Sequence, residues 1–175
     1  MSDRLTPYNV LFLCTGNSAR SLLAEAYLNS LPGASFQAFS AGSQPTGAPN
    51  ETALETLKTA KISVDGLRSK SWDEFAVDDA PQMDFIFTVC DNAAGEVCPV
   101  WPGHPASAHW PFEDPAAFEG PDVEKRAIFL DVFRQIRARI DIFANLPLSS
   151  LDELALKREL DKIGKSSTDQ KNESA

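Results

Sequence analysis

Eight residues, Cys14-Thr15-Gly16-Asn17-Ser18-Ala19-Arg20-Ser21, bring together a thiol and a guanidinium with only small or polar side chains between them. Successive backbone N–H groups in such a loop form a cradle for an oxyanion. Arg20 closes it with a planar fork that matches phosphate-like oxygens. The same positive surroundings are expected to favour a thiolate at Cys14. A tetrahedral oxyanion above a thiolate is set up for nucleophilic attack at its central atom. Gly16 is expected to give the loop its tight fold. The bland alternative is a buried cysteine at a strand end and an unrelated surface arginine.

Two further groups carry chemistry. Cys90 and Cys98 have seven residues between them on a long loop. A dithiol supplies two electrons by exchange through mixed disulfides. The alternatives are two small buried residues, or a zinc site with His104 and His109, although this spacing lacks a tight Cys-x2–4-Cys knuckle. Asp114-Pro115 is either a turn or the site of a general acid.

Elements that position these groups follow from hydrophobic pattern. Val10-Leu11-Phe12-Leu13 reads as a buried strand ending at Cys14, and Leu22 to Leu28 as the helix that follows the loop. Leu31-Pro32-Gly33 stops that helix. Ser35 to Ala41 predicts a second strand, and Ser43 to Pro49 a loop. Asn50 predicts an N-cap for a helix through Ala60. Ser71-Trp72-Asp73-Glu74 has the capping-box pattern of a short helix. Asp84 to Cys90 predicts an almost wholly apolar strand. From Asp91 to Glu119 the chain is irregular and holds five prolines, with a short strand expected around Ser107 to Trp110. Pro121 opens a long helix whose core face carries Phe129, Phe133, Ile136, Ile140 and Phe143. Ser150-Leu151-Asp152-Glu153 is a second capping box, Leu156, Leu160 and Ile163 follow at helical spacing, and Gly164 is expected to end that helix. Strands alternating with helices imply an α/β fold with a parallel sheet wrapped by helices. In such sheets ligands bind at the carboxyl ends of the strands, where Cys14 and Cys90 both fall. Residues 1–164 read as a single catalytic domain and 165–175 as a polar, disordered tail.

The whole chain sets outer limits. Its 175 residues carry a net charge of −9 and 43% hydrophobic residues. The acidic balance argues against nucleic acid and anionic membranes as partners. The apolar runs are too short to span a bilayer, and the N-terminus has no signal-peptide pattern. A cytoplasmic protein with reduced cysteines is expected, so any disulfide would be catalytic.

Cys-x5-Arg-Ser resembles the phosphate-binding loop of low-molecular-weight protein tyrosine phosphatases. The fuller string CTGNSARS, with Ser40-Ala41-Gly42, the Cys90/Cys98 loop, His109-Trp110 and Asp114-Pro115, is similar to arsenate reductases built on the same fold. The resemblance covers about residues 8 to 164. It implies a three-layer α/β/α fold around a four-stranded parallel sheet with flavodoxin-like winding. It implies that residues 15–21 (Thr15, Gly16, Asn17, Ser18, Ala19, Arg20 and Ser21) bind the oxyanion, that Asn17 shapes the loop and that Ser21 stabilises the Cys14 thiolate. By the same resemblance Cys14 attacks arsenate, Asp114 assists departure of hydroxide, Cys90 attacks Cys14 to release arsenite, and Cys98 attacks Cys90 to move the disulfide outward. Loop movement is expected before Cys90 reaches Cys14. Thioredoxin, or glutaredoxin with glutathione, would reset the enzyme, and a Cys90-to-Cys98 gap one residue longer than in thioredoxin-coupled members leaves both reductants open. Asn17, Glu25 and Ser40 are candidates for a bound potassium. The alternative function is a phosphatase acting through a Cys14 phosphocysteine. Such phosphatases place Tyr after Asp-Pro, whereas Ala116-Ala117 stand here.

Overall fold

A computed structural model describes residues 6–33, 35–90 and 105–174. Its centre is a four-stranded, wholly parallel sheet in the order β2-β1-β3-β4. The strands are β1 (Tyr8–Cys14), β2 (Phe36–Gly42), β3 (Phe85–Thr88) and β4 (Ala106–His109). Among the described residues four α-helices flank it: α1 (Arg20–Ser30), α2 (Glu51–Thr59), α3 (Asp122–Ala144) and α4 (Glu153–Ser174). The expected doubly wound order is therefore present, with the chain reversing direction from β1 outward on either side. That switch point puts the carboxyl ends of β1 and β3 side by side.

Alternate residues of β1 face two separate cores. Val10, Phe12 and Cys14 join a large cluster with Leu23, Leu57, Phe133, Ile140 and Leu160 from the four helices. Leu11 and Leu13 face a smaller one with Trp72, Phe75 and Met83. The second layer is thus thin among the described residues, built around a 3₁₀ turn at Trp72–Phe75. Ser71 Oγ caps this turn by accepting from Asp73 N–H, and Asn50 Oδ1 caps α2 by accepting from Thr52 and Ala53 N–H.

Three local expectations differ from what forms. β3 ends at Thr88, so Cys90 lies two residues beyond it rather than at its end. Asp152, not Ser150, caps α4, because Ser150 is held in a 3₁₀ turn and Asp152 Oδ1 accepts from Ala155 N–H. Gly164 does not stop α4, whose backbone continues to Ser174 through residues that composition left as a tail. Gly164 serves close approach instead. A Cβ there would sit 2.6 Å from the carbonyl oxygen of His109 and 3.0 Å from the Trp110 indole. That approach lets the buried Trp110 donate its indole N–H to the Leu160 carbonyl at 2.9 Å. Trp110 also stacks on Phe87, ring centroids 3.8 Å apart. The segment leading to Asp114 therefore leaves the sheet from a fixed point.

Candidate active site

Cys14 closes β1 and is buried. Beyond it three carbonyls of the loop are drawn outward. Thr15 O accepts from Gln44 N–H, Gly16 O from Thr46 N–H and the Ser69 hydroxyl, and Ser18 O from Asn50 N–H, at 2.8–3.1 Å. In a trans peptide the N–H opposes the C=O. The N–H groups of Gly16, Asn17 and Ala19 consequently turn toward the loop's interior, as an anion cradle requires. The first turn of α1 adds to it, since Ala19 makes no side-chain cap there.

The tight step is made by Asn17, not by Gly16. Asn17 has φ 44° and sits in the left-handed region, which Asn tolerates better than most residues. Its fully buried amide is pinned three ways: Nδ2 donates to Ser21 Oγ (2.8 Å) and Ser40 Oγ (2.9 Å), and Oδ1 accepts from Lys70 N–H (2.9 Å). Gly42 at the end of β2 is needed for room. A Cβ there would lie 2.4 Å from Thr15 O and 2.7 Å from Cys14 O.

Arg20 spans from α1 to the segment after β4. Its Nη1 donates to Phe112 O at 3.0 Å, and Nη2 lies 3.5 Å from Asp114 Oδ2. Its Nε is buried with no hydrogen-bond partner, a donor left for something the cradle would hold. Asp114 fulfils the turn reading and is also brought beside Arg20. Its Oδ1 caps a 3₁₀ turn, Pro115–Ala117, by accepting from Ala116 N–H at 3.0 Å, while its other oxygen faces Arg20.

Cys90 needs no rearrangement to meet the loop. It is buried, its Sγ accepts from Thr15 N–H at 3.3 Å, and it lies 3.6 Å from the Thr15 hydroxyl. It is also hydrogen-bonded to Cys14, and neither thiol is in a disulfide. This pairing reverses the expected ionisation of Cys14. The hydrogen bond with Cys90 and then burial push its pKa well above the ordinary thiol range, and these outweigh the Arg20 charge and the Gly16 N–H that pull it down. Cys98 and His104 lie outside the described residues. Among the described residues no group of three His, Cys, Asp or Glu side chains is placed to hold a metal ion. Likewise no helix among them is long and apolar enough to cross a membrane.

Comparison with known proteins fixes the family. The family model for low molecular weight phosphotyrosine protein phosphatase matches residues 9–159. The chain belongs to this family. A curated arsenate reductase from Halalkalibacterium halodurans is 38% identical over 135 residues, covering 77% of this chain and 94% of that protein. The crystal structure of an arsenate reductase from Archaeoglobus fulgidus superposes with a TM-score of 0.56 at 28% identity, over 75% of this chain and 98% of that one. A low molecular weight protein tyrosine phosphatase from T. tengcongensis gives a TM-score of 0.64 at 22% identity, over 79% and 99%, and so shares the fold.

Within this phosphatase-family site, sequence reading missed Lys70 and Phe112. Lys70 is buried, and its Nζ donates to Arg68 O at 2.9 Å and lies 3.5 Å from Ser40 Oγ and 3.7 Å from Glu25 Oε1. Ser40 Oγ in turn donates to Glu25 Oε1 at 2.6 Å. Burial lowers the Lys70 pKa and raises that of Glu25, each opposed by the other's charge. A lysine between two serines, Ser69-Lys70-Ser71, gives no periodic signal of burial. Phe112 acts through its carbonyl, which sequence cannot single out.

Proposed function

We propose that this protein reduces arsenate to arsenite. The observation that carries the proposal is the second thiol, Cys90, lodged against the Cys14 loop, in a chain whose curated relatives are arsenate reductases. A phosphatase needs only Cys14.

In this reading arsenate enters the cradle of inward N–H groups, takes the open Arg20 Nε and displaces Cys90 from Thr15 N–H. Separation from Cys90 removes the main cause of the raised Cys14 pKa, so the nucleophile ionises when substrate arrives. Ser21 Oγ already accepts from Asn17, which leaves its proton to stabilise the thiolate. Cys14 Sγ bonds to arsenic, and one arsenate oxygen leaves as water with a proton handed over by Asp114. Cys90 thiolate then attacks Cys14 Sγ. The S–As bond breaks with its electron pair moving to arsenic, As(V) becomes As(III), and arsenite departs from a Cys14–Cys90 disulfide. Two thiols have lost the two electrons that arsenic gained. Cys98 attacks Cys90 to carry the disulfide outward, and thioredoxin, or glutaredoxin with glutathione, reduces it. No step is routed through potassium. The Lys70 ammonium, 3.5 Å from Ser40 Oγ and 3.7 Å from Glu25 Oε1, already supplies positive charge beside two of the three candidates, and Asn17 Oδ1 is taken by the Lys70 N–H.

The test is steady arsenite formation by the reduced protein with either reductant system, compared with Cys90→Ser. The reading predicts sustained turnover in one system and its loss in Cys90→Ser. Phosphomonoester hydrolysis with no arsenite formation would replace it with the phosphatase reading.

A further inference from the structure

Arg139 interrupts an otherwise apolar stripe on α3, between Ile136 and Phe143, and is only 2% exposed. Taking a guanidinium out of water costs several kcal/mol, and an apolar side chain of similar volume often packs there at no loss. Burial lowers its pKa only to about 10, so it stays a cation at neutral pH. Its contacts are specific. Nη1 donates to Pro111 O at 2.8 Å, and the guanidinium lies over the Phe112 ring, 4.4 Å from the centroid. It therefore grips two consecutive residues of the segment between the anchored Trp110 and Asp114. Phe112 is buried, and its backbone looks toward the site: its N–H reaches Val89 O at 3.3 Å, next to Cys90, and its carbonyl accepts from Arg20 Nη1 at 3.0 Å.

We propose that Arg139 is a positioning residue that acts through Phe112 to hold the Arg20 guanidinium in the plane that binds the oxyanion. The inference rests on reading the Cys14 loop as an oxyanion seat. Planarity is the point of having arginine here, since one face lies on the Phe112 ring while an edge N–H meets Pro111 O. Without that grip Phe112 keeps only its 3.3 Å N–H bond to Val89 O and its bond to Arg20 itself, so its carbonyl shifts and Arg20 loses a fixed acceptor.

The test is titration of inorganic phosphate into the reduced full-length protein, in a double-mutant cycle of Arg139→Met with Arg20→Lys. Coupled residues give non-additive effects, so Arg139→Met should weaken phosphate binding roughly tenfold in the native background and less than about twofold beside Arg20→Lys. Arg139→Lys keeps a charged donor without the planar stack and should recover part of the loss. If Arg139→Met fails to fold, Arg139→Lys carries the same cycle. Arg137→Met, on the same helix but lying over Tyr27, should leave phosphate affinity unchanged. Equal weakening in both Arg20 backgrounds, or none in the native one, overturns the positioning role alone. Absence of phosphate binding to the unsubstituted protein overturns the oxyanion seat and this inference with it.

Discussion

The two halves of the site are held in different ways. The loop that carries Cys14 is fixed mainly through its own backbone carbonyls, with a buried side-chain network behind them. Its carbonyls are bonded to residues 44, 46, 50 and 69, and the buried Asn17–Ser21–Ser40 network fixes its one left-handed residue. The segment carrying Asp114, the proposed acid, has two backbone bonds to the end of β3, Trp110 N–H to Thr88 O and Phe112 N–H to Val89 O, and beyond these relies on side chains. Trp110 anchors its start, Arg20 and Arg139 hold Phe112 and Pro111, and the Asp114 side chain remains 44% exposed. The difference separates two tasks. A cradle of N–H groups must be preorganised before the anion arrives, and only an over-determined backbone achieves that. An acid must meet incoming substrate and water, and a half-exposed side chain at the far end of an anchored segment suits that.

Damage to the two halves should therefore differ in kind. Gly42→Ala should have the largest effect, because the added Cβ meets backbone carbonyls on the loop and not the end of a flexible side chain. Stability should fall by about 3 kcal/mol or more, with loss of activity, as measured by urea unfolding. Asp114→Asn should do the opposite: arsenate reduction slows about a hundredfold, with stability within about 0.5 kcal/mol of the unsubstituted protein. A large stability loss there would erase the distinction between the halves. The smallest effect concerns ionisation. Cys90→Ala removes the leading cause of the raised Cys14 pKa, so the pH midpoint for alkylation of Cys14, followed in a Cys98→Ser background, should move to lower pH. An unchanged midpoint would mean that burial alone governs the nucleophile.

This contrast also explains what was legible beforehand. Cys14 to Ser21 could be read from sequence because strand, loop and helix are consecutive and their chemistry is local. β1, β2 and α3 followed from apolar pattern for the same reason. The tight step reads as Gly16 because composition names the permissive residue, whereas the network around Asn17 places it one residue on. That Cys14 and Cys90 share the carboxyl end of the sheet is legible from the strand pattern, but the bond of Cys90 to Thr15 N–H, 75 residues away, depends on the β1–β3 pairing. Arg139 did leave a trace, as a charge within the apolar stripe of α3, but its partner is a segment 28 residues away.

The central claim is that the dithiol at the loop supplies the electrons. The direct measurement is a free-thiol count on fully reduced protein before and after arsenate, without external reductant, with arsenite quantified in the same sample. The account predicts a fall from the three thiols of the chain to one, with one arsenite released per chain and the lost pair mapped to Cys14 and Cys90 or, after exchange, to Cys90 and Cys98. Three thiols remaining, with no arsenite formed, would contradict it.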